Sequence, residues 1–218
     1  MNLLAGSTGF LGYKILNEFS LTQSQTLALS RREIDILPKH TEQIICDFRK
    51  LSELELPQIN HVFLSLGFPL FFQNVVGIMN KDLKEDLFLV DFTYQLEIAK
   101  KAKEAGAKNI SMISAVGADP HSWNYYLKIK GMVEKEIINI GFDSTNIFQP
   151  GHLRGNKYRF DIVLADIASI VIDPFLIGSL KKFRSISAEA VAKQVVNNSL
   201  NSESGVNYFD FTDFQSWR

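Results

Sequence analysis

Apolar residues along this chain come in short runs divided by polar turns, and two spacings alternate through the first two-thirds. Residues 1–5, 26–30, 43–47, 61–66, 109–114 and 144–148 are brief apolar segments of strand length. Between them, residues 10–19 carry Leu11, Ile15, Leu16 and Phe19 at helical spacing. Residues 84–105 read as a long amphipathic helix stopped by Gly106, and 124–140 as a helix ended by Gly141. Short, continuously apolar strands alternating with helices predict a parallel sheet covered on both faces. The predicted fold is therefore α/β, a Rossmann-type doubly wound parallel sheet in a single domain over 1–218.

Beyond Pro150 the pattern is less regular. Residues 188–200 read as a helix and 207–211 as a last strand. This tail, 150–218, is expected to supply a small substrate-side region over the carboxyl edge of the sheet, where such folds bind ligands. The most apolar stretch, 162–180, is broken by Asp166 and by Asp173-Pro174, so it predicts buried or interface structure, not a membrane span. It leaves monomer and homodimer open.

Composition narrows the function classes. The 218 residues carry 23 basic and 24 acidic side chains with no basic block, which argues against nucleic acid as a partner. A single cysteine, Cys46, excludes an intrachain disulfide and is expected to be a buried strand residue. Lone-cysteine usage and the lack of a secretory signal at the first residues predict a cytoplasmic protein. His40, His61, His121 and His152 show no metal-ligand spacing, so no metal is expected.

The chemistry begins at the turn after the first strand. Gly6, Ser7, Thr8, Gly9, Phe10, Leu11 and Gly12 space three glycines so that backbone can approach a pyrophosphate at a helix N-terminus. The second strand ends in Arg31 and Arg32, where an NAD site favours an acid. A guanidinium pairs with a 2′-phosphate, so NADP(H) is preferred, while Glu33 and Asp35 keep NAD(H) in play. Asp47, at the expected end of the third strand, serves either the adenine edge or the cap of the next turn. Leu66 and Gly67 end the fourth strand beside the expected cofactor.

Tyr126 and Lys130 lie four residues apart on one helix face. A phenol of pKa about 10 needs help to exchange a proton at neutral pH, and a neighbouring ammonium lowers that value. Tyr126 is thus a candidate proton donor to a carbonyl, with Lys130 also able to bond the nicotinamide ribose and Ser114 placed to hold the substrate oxygen. Tyr125 has no lysine four residues on and is set aside. Phe68, Phe71 and Phe72 suggest either a pocket for a small to medium, apolar substrate or packing in the core or a subunit interface.

The run Ile113-Ser114-Ala115-Val116-Gly117-Ala118-Asp119, then Tyr126-Leu127-Lys128-Ile129-Lys130-Gly131-Met132-Val133-Glu134, resembles the atypical short-chain dehydrogenase/reductases. Within them it is most similar to the Tat-interacting-protein-like NAD(P)H-binding oxidoreductase group. Val90-Asp91, the helix end at 99–106 and Pro150-Gly151-His152-Leu153-Arg154-Gly155 add to the likeness, which spans residues 1–155. The resemblance implies a Rossmann fold, NADP(H) binding, a Ser114/Tyr126/Lys130 catalytic set, a proton-relay position at Asp91 and a nicotinamide loop at Pro150 and Gly151. Ala115 and Gln149 depart from it: relatives commonly carry a second serine and an arginine there. Three functions follow in order: an NADP(H)-dependent carbonyl reductase or alcohol dehydrogenase, a non-catalytic NADP(H)-binding regulatory or redox-sensing protein, and an epimerase using the same Tyr/Lys pair.

Overall fold

The computed structural model describes residues 1–69, 71, 74, 79–155, 160–201 and 203–214. Its strands are β1 (Asn2–Ala5), β2 (Thr26–Ser30), β3 (Thr41–Ile45), β4 (His61–Leu64), β5 (Asn109–Ile113), β6 (Ser144–Phe148), β7 (Leu153–Arg154), β8 (Ile186–Ser187) and β9 (Gly205–Phe209). Its helices are α1 (Phe10–Leu21), α2 (Lys81–Phe88), α3 (Gln95–Glu104), α4 (Tyr125–Asn139), α5 (Phe160–Ile172), α6 (Ala188–Leu200) and the short α7 (Phe211–Phe214). Among the described residues, seven strands form one all-parallel sheet in the order β3-β2-β1-β4-β5-β6-β9. The order reverses between β1 and β4, which opens a crevice at the carboxyl ends of those strands. This is the Rossmann arrangement that the sequence predicts.

The continuously apolar strands have a simple cause. Leu3 and Ala5 of β1 join Leu27, Leu29, Val62 and Leu64 on one face, under Ile98 and Ala102 of α3 and Val133 and Ile137 of α4. Leu4 joins Ala28, Phe63 and Phe148 on the other, under Ile15 and Phe19 of α1 and Val191 and Val195 of α6. Successive side chains point to opposite faces, and both faces are buried. The outer strands β3 and β9 are largely exposed or half-buried, as sheet edges are.

Four expectations are corrected. The third strand ends at Ile45, so Cys46 and Asp47 follow it, and Cys46 is only half-buried. The tail does more than cover the carboxyl edge: β9 extends the sheet beside β6, and α6 packs along α1. The expected helix over 84–105 begins earlier, at Lys81, and is widened into a π-helical turn over Leu89–Tyr94. In the stretch 162–180, Ile167, Ile170, Val171, Ile172, Phe175, Ile177 and Leu180 are exposed, so core burial does not describe them.

Candidate active site

The turn after β1 is so tight that side chains have no room at two of its glycines. Gly6 has φ +89°, and a Cβ there would lie 2.5 Å from the Ser65 carbonyl oxygen; at Gly12 it would lie 2.1 Å from the Gly6 carbonyl oxygen. No side chain caps α1 at Gly9, so its first N–H groups and the positive end of its dipole face the crevice uncapped. Ser7 is fully buried, yet its Oγ has no hydrogen-bond partner. A buried unpaired hydroxyl is costly, and a phosphate oxygen would satisfy it. The turn therefore fits a dinucleotide pyrophosphate on both shape and polarity.

The loop after β2 is held by Gln43 of β3. Its Nε2 donates to the Arg32 carbonyl at 2.8 Å and to Ser30 Oγ at 2.7 Å, while its Oε1 accepts from the Ile34 N–H at 3.3 Å. The two arginines then part. Arg31 lays its guanidinium over the Phe48 ring, 5.9 Å from the centroid. Arg32 lines a cleft of about 520 Å³ with Thr8, Tyr13, Glu33, Ile34, Asp35 and Ile36. Asp47 caps the 3-10 turn at Phe48–Glu53 by accepting the Arg49 N–H at 3.0 Å, which is the capping alternative of its two sequence readings. Leu66 is buried, and Gly67 is exposed in front of Asp91.

Helix α4 is capped by Asn124, whose side chain accepts from the Leu127 N–H. Tyr126, Lys130 and Glu134 follow at four-residue intervals and share one face. The loop 119–120 presses onto this helix at Gly131, where a Cβ would come 2.3 Å from Asp119 backbone. Lys130 is buried and pairs with Asp91, Nζ to Oδ1 at 2.6 Å. The other Asp91 oxygen accepts the Phe68 N–H at 2.7 Å. Asp91 reaches inward from the π-helical turn, and buried Gln95 donates to its carbonyl at 2.9 Å. The Tyr126 ring sits beside Lys130, 5.8 Å from Nζ to the centroid, in an apolar cluster with Phe68, Ile129 and Phe92.

Charge here runs against the sequence expectation for Tyr126. Burial pushes its phenol pKa up, Lys130 pulls it down, and Asp91 pushes it up again, with a net rise. The ammonium does pull the phenol down, but burial, the largest influence, outweighs it, and the carboxylate bonded to Lys130 adds to the rise. Lys130 itself is held above the usual lysine value: burial opposes its charge, but Asp91, Tyr126 and Glu134 outweigh that cost.

Ser114 is also placed differently from expectation. Its hydroxyl donates to Glu134 Oε1, which accepts from Gln149 Nε2 as well, at 2.9 Å. Its proton is thus turned toward α4 and is not offered to a substrate oxygen. Burial raises the Glu134 carboxyl, against the pull of Ser114, Gln149 and Lys130. Pro150 is buried, its carbonyl accepting the Val116 N–H at 3.1 Å, and Gly151 lies so close to the Arg184 carbonyl that a Cβ would be 2.7 Å away. Tyr125 points elsewhere: its hydroxyl donates to the Lys84 carbonyl at 3.4 Å.

Sequence reasoning left two partnerships unread, Asp91 with Lys130 and Glu134 with Ser114. The second had a signal, since Glu134 continues the Tyr126/Lys130 stripe by one more turn. Of the phenylalanines, Phe68 packs near Tyr126 and Phe71 is exposed, while Phe72 lies outside the described residues. Among the described residues no group of His, Cys, Asp and Glu is arranged to hold a metal, and no helix is long and apolar enough to cross a membrane.

Sheet order and the glycine turn at its reversal define the class, a Rossmann fold. MoeE5 in complex with UDP-glucose and NAD matches with a TM-score of 0.71 at 14% identity, covering 99% of this chain and 79% of that one. Human epimerase family protein SDR39U1 with NADPH matches with a TM-score of 0.67 at 14% identity, covering 96% and 73%. No protein-family model matches the chain. In sequence, "Protein FMP52, mitochondrial" from Debaryomyces hansenii is 31% identical over 164 residues, 72% of this chain and 68% of the relative. The Candida glabrata protein of the same name is 28% identical over 157 residues, 71% of this chain and 64% of the relative, so the match spans about two-thirds of these proteins. The chain belongs to the FMP52 family. The cytoplasmic expectation is corrected by these relatives, which are named mitochondrial. A single cysteine has no intrachain partner in any compartment, so it does not separate one compartment from another.

Proposed function

We propose that this protein is an NADP(H)-dependent oxidoreductase of short-chain dehydrogenase type that interconverts a carbonyl and an alcohol. The observation that supports this most is the pairing of a turn with no room for a side chain at Gly6 and Gly12, and with the orphaned Ser7 hydroxyl inside it, with Tyr126 beside buried Lys130. The cofactors named for the two structural neighbours, NAD in one and NADPH in the other, support a nicotinamide dinucleotide, and the motif likeness to the Tat-interacting-protein-like group supports the oxidoreductase reading.

In this reading residues 6–12 hold the pyrophosphate, Arg32 meets the 2′-phosphate, and Pro150 and Gly151 border the nicotinamide. The nicotinamide, when bound, supplies or takes up the hydride. Tyr126 gives its proton to the carbonyl oxygen, and its raised pKa keeps that proton in place until needed. Lys130, fixed by Asp91, holds positive charge beside the phenol as it becomes phenolate. Ser114 accepts from a substrate hydroxyl, because its own proton is committed to Glu134.

Titration with NADPH and NADH, read by nicotinamide fluorescence and thermal stabilisation, tests the cofactor half. NADPH is expected to bind more tightly, and Arg32→Gln to reduce that preference by about 10- to 100-fold, the worth of one charged hydrogen-bonding contact. Equal binding of both cofactors by both proteins would remove the NADP(H) assignment.

A regulatory NADP(H) binder is the second reading, favoured by the occupied Ser114 proton and the raised Tyr126 phenol. It expects cofactor binding with no turnover of any carbonyl probe, in wild type and Tyr126→Phe alike.

A further inference from the structure

Strand β7 follows the Pro150-Gly151 loop and pairs with β8, Leu153 opposite Ile186 and Arg154 opposite Ser187. Leu153 packs into the core with Phe10 and Phe209, so strand alternation sends Arg154 to the other face. The next residue, Gly155, borders the dinucleotide turn: a Cβ there would lie 3.9 Å from the Phe10 ring. Arg154 is half-buried, and its Nε is shut off from solvent with no hydrogen-bond partner. Among the described residues its guanidinium makes no ion pair.

The acids nearby are already used. Asp166 brackets Arg154 without touching it, giving Oδ1 to His152 Nε2 at 2.6 Å and Oδ2 to the Gly155 N–H at 3.0 Å. Asp173 receives the Ser185 N–H on both oxygens. The Ser187 hydroxyl, opposite in register, caps α6 by accepting from Ala190. An arginine keeps its charge at any working pH, so a partly buried one without a counter-ion is costly. Its planar fork matches a carboxylate or phosphate on two points.

We propose that Arg154 is an anion receptor at the carboxyl edge of the sheet, and that the substrate carries a carboxylate or phosphate in addition to its reacting carbonyl or alcohol. This rests on the oxidoreductase reading above for its substrate half, and it replaces the expectation of an apolar substrate. The other source of the same chemistry is the cofactor pyrophosphate.

Two measurements on the full chain test it. In the first, benzoate and phenylphosphonate are titrated onto the NADPH-loaded protein and the melting temperature is followed. Both are expected to stabilise wild type, to leave Arg154→Met unmoved, and to stabilise Arg154→Lys partly. In the second, kcat/KM is compared for 4-carboxybenzaldehyde against benzaldehyde and for 4-oxobutanoate against butanal. A preference of tenfold or more for the acids is expected in wild type, collapsing toward one in Arg154→Met. Equal anion stabilisation in wild type and Arg154→Met overturns the receptor. An unchanged acid preference together with a tenfold loss of NADPH affinity in Arg154→Met assigns the residue to the cofactor and overturns the substrate half. If no aldehyde reacts while anion binding still depends on Arg154, the oxidoreductase reading falls and the anion receptor stands.

Discussion

Asp91 and Lys130 meet at 2.6 Å with side chains only 1% and 5% exposed, each removing the other's need for water. Taking away one partner strands the other. Asp91→Ala is expected to destabilise the fold by about 3–5 kcal/mol, the usual cost of leaving one buried ion alone. Urea unfolding measures it, and Asp91→Ala with Lys130→Met should recover part of the loss. A drop below about 1 kcal/mol in the single variant would mean that Lys130 finds water, in conflict with its burial.

Tyr126→Phe removes the hydroxyl proposed as proton donor and leaves the packing with Phe68 and Ile129 in place. Turnover is expected to fall by about 100- to 10,000-fold, the range for loss of a positioned acid, with NADPH affinity within a few-fold of wild type. Steady-state rates and fluorescence titration on the same preparation check both halves. Unaltered turnover would take Tyr126 out of the reaction.

The Tyr126 phenol should also report on Asp91. With that carboxylate neutralised in Asp91→Asn, one of the influences raising the phenol is gone while the Lys130 charge remains. Phenolate absorbance is then expected to appear at lower pH than in wild type. The opposite shift would show that loss of the ion pair discharges Lys130 first.

Gly12→Ala places a methyl where only 2.1 Å separates it from the Gly6 carbonyl. The turn has to open, so NADPH affinity is expected to drop by at least tenfold while the circular dichroism of the sheet persists. Retained affinity would show that the turn tolerates a wider geometry than the one it adopts.

His61 gives a pH prediction with a definite sign. It is buried on β4, stacks on Phe63 at 4.1 Å, bonds Ser111 Oγ at 2.9 Å, and burial pushes its pKa down to about 3. The unfolded chain takes up a proton near pH 6.5, whereas the folded one does not until far lower. Below pH 6.5 the unfolded state binds more protons, so stability is lost as pH falls, by about 1.4 kcal/mol per unit from this residue. That contribution is fully present above 6.5 and gone below about 3. Urea midpoints from pH 7 to 4 should fall more steeply for wild type than for His61→Asn; parallel curves would refute the assignment.

Local pattern carried much of this architecture. The strands at Thr26–Ser30 and Ser144–Phe148 and the helix at Ala188–Leu200 have the bounds their sequences predict, because both strands are buried throughout and the helix has one apolar stripe. The edge strands slid by two residues, to Thr41–Ile45 and Gly205–Phe209, since one half-solvated side leaves little apolar signal to set the register. Helix α5 was not read as a helix because it is apolar nearly all round, without the stripe that a covered face imposes. At the site, the glycines, Tyr126 and Lys130 were legible as local motifs. The Ser114–Glu134 bond was not, because it joins residues twenty apart on different elements. Nor was the direction of the Tyr126 pKa, which is set first by how deeply the ring is buried and then by Lys130 and Asp91.

The π-helical turn at Leu89–Tyr94 amounts to one residue too many in an otherwise regular rod. Everything after it is rotated by about 100° from where an unbroken α-helix would place it. The two halves can therefore obey different neighbours: Leu87 faces the cluster around Ile129 and Met79, while Ile98, Ala99 and Ala102 face the sheet. Removing a single codon within this turn would straighten the rod and force the two halves into one common phase. Asp91 would swing off Lys130, and the Tyr126 face of α4 would be uncoupled from the core without any change in side-chain chemistry.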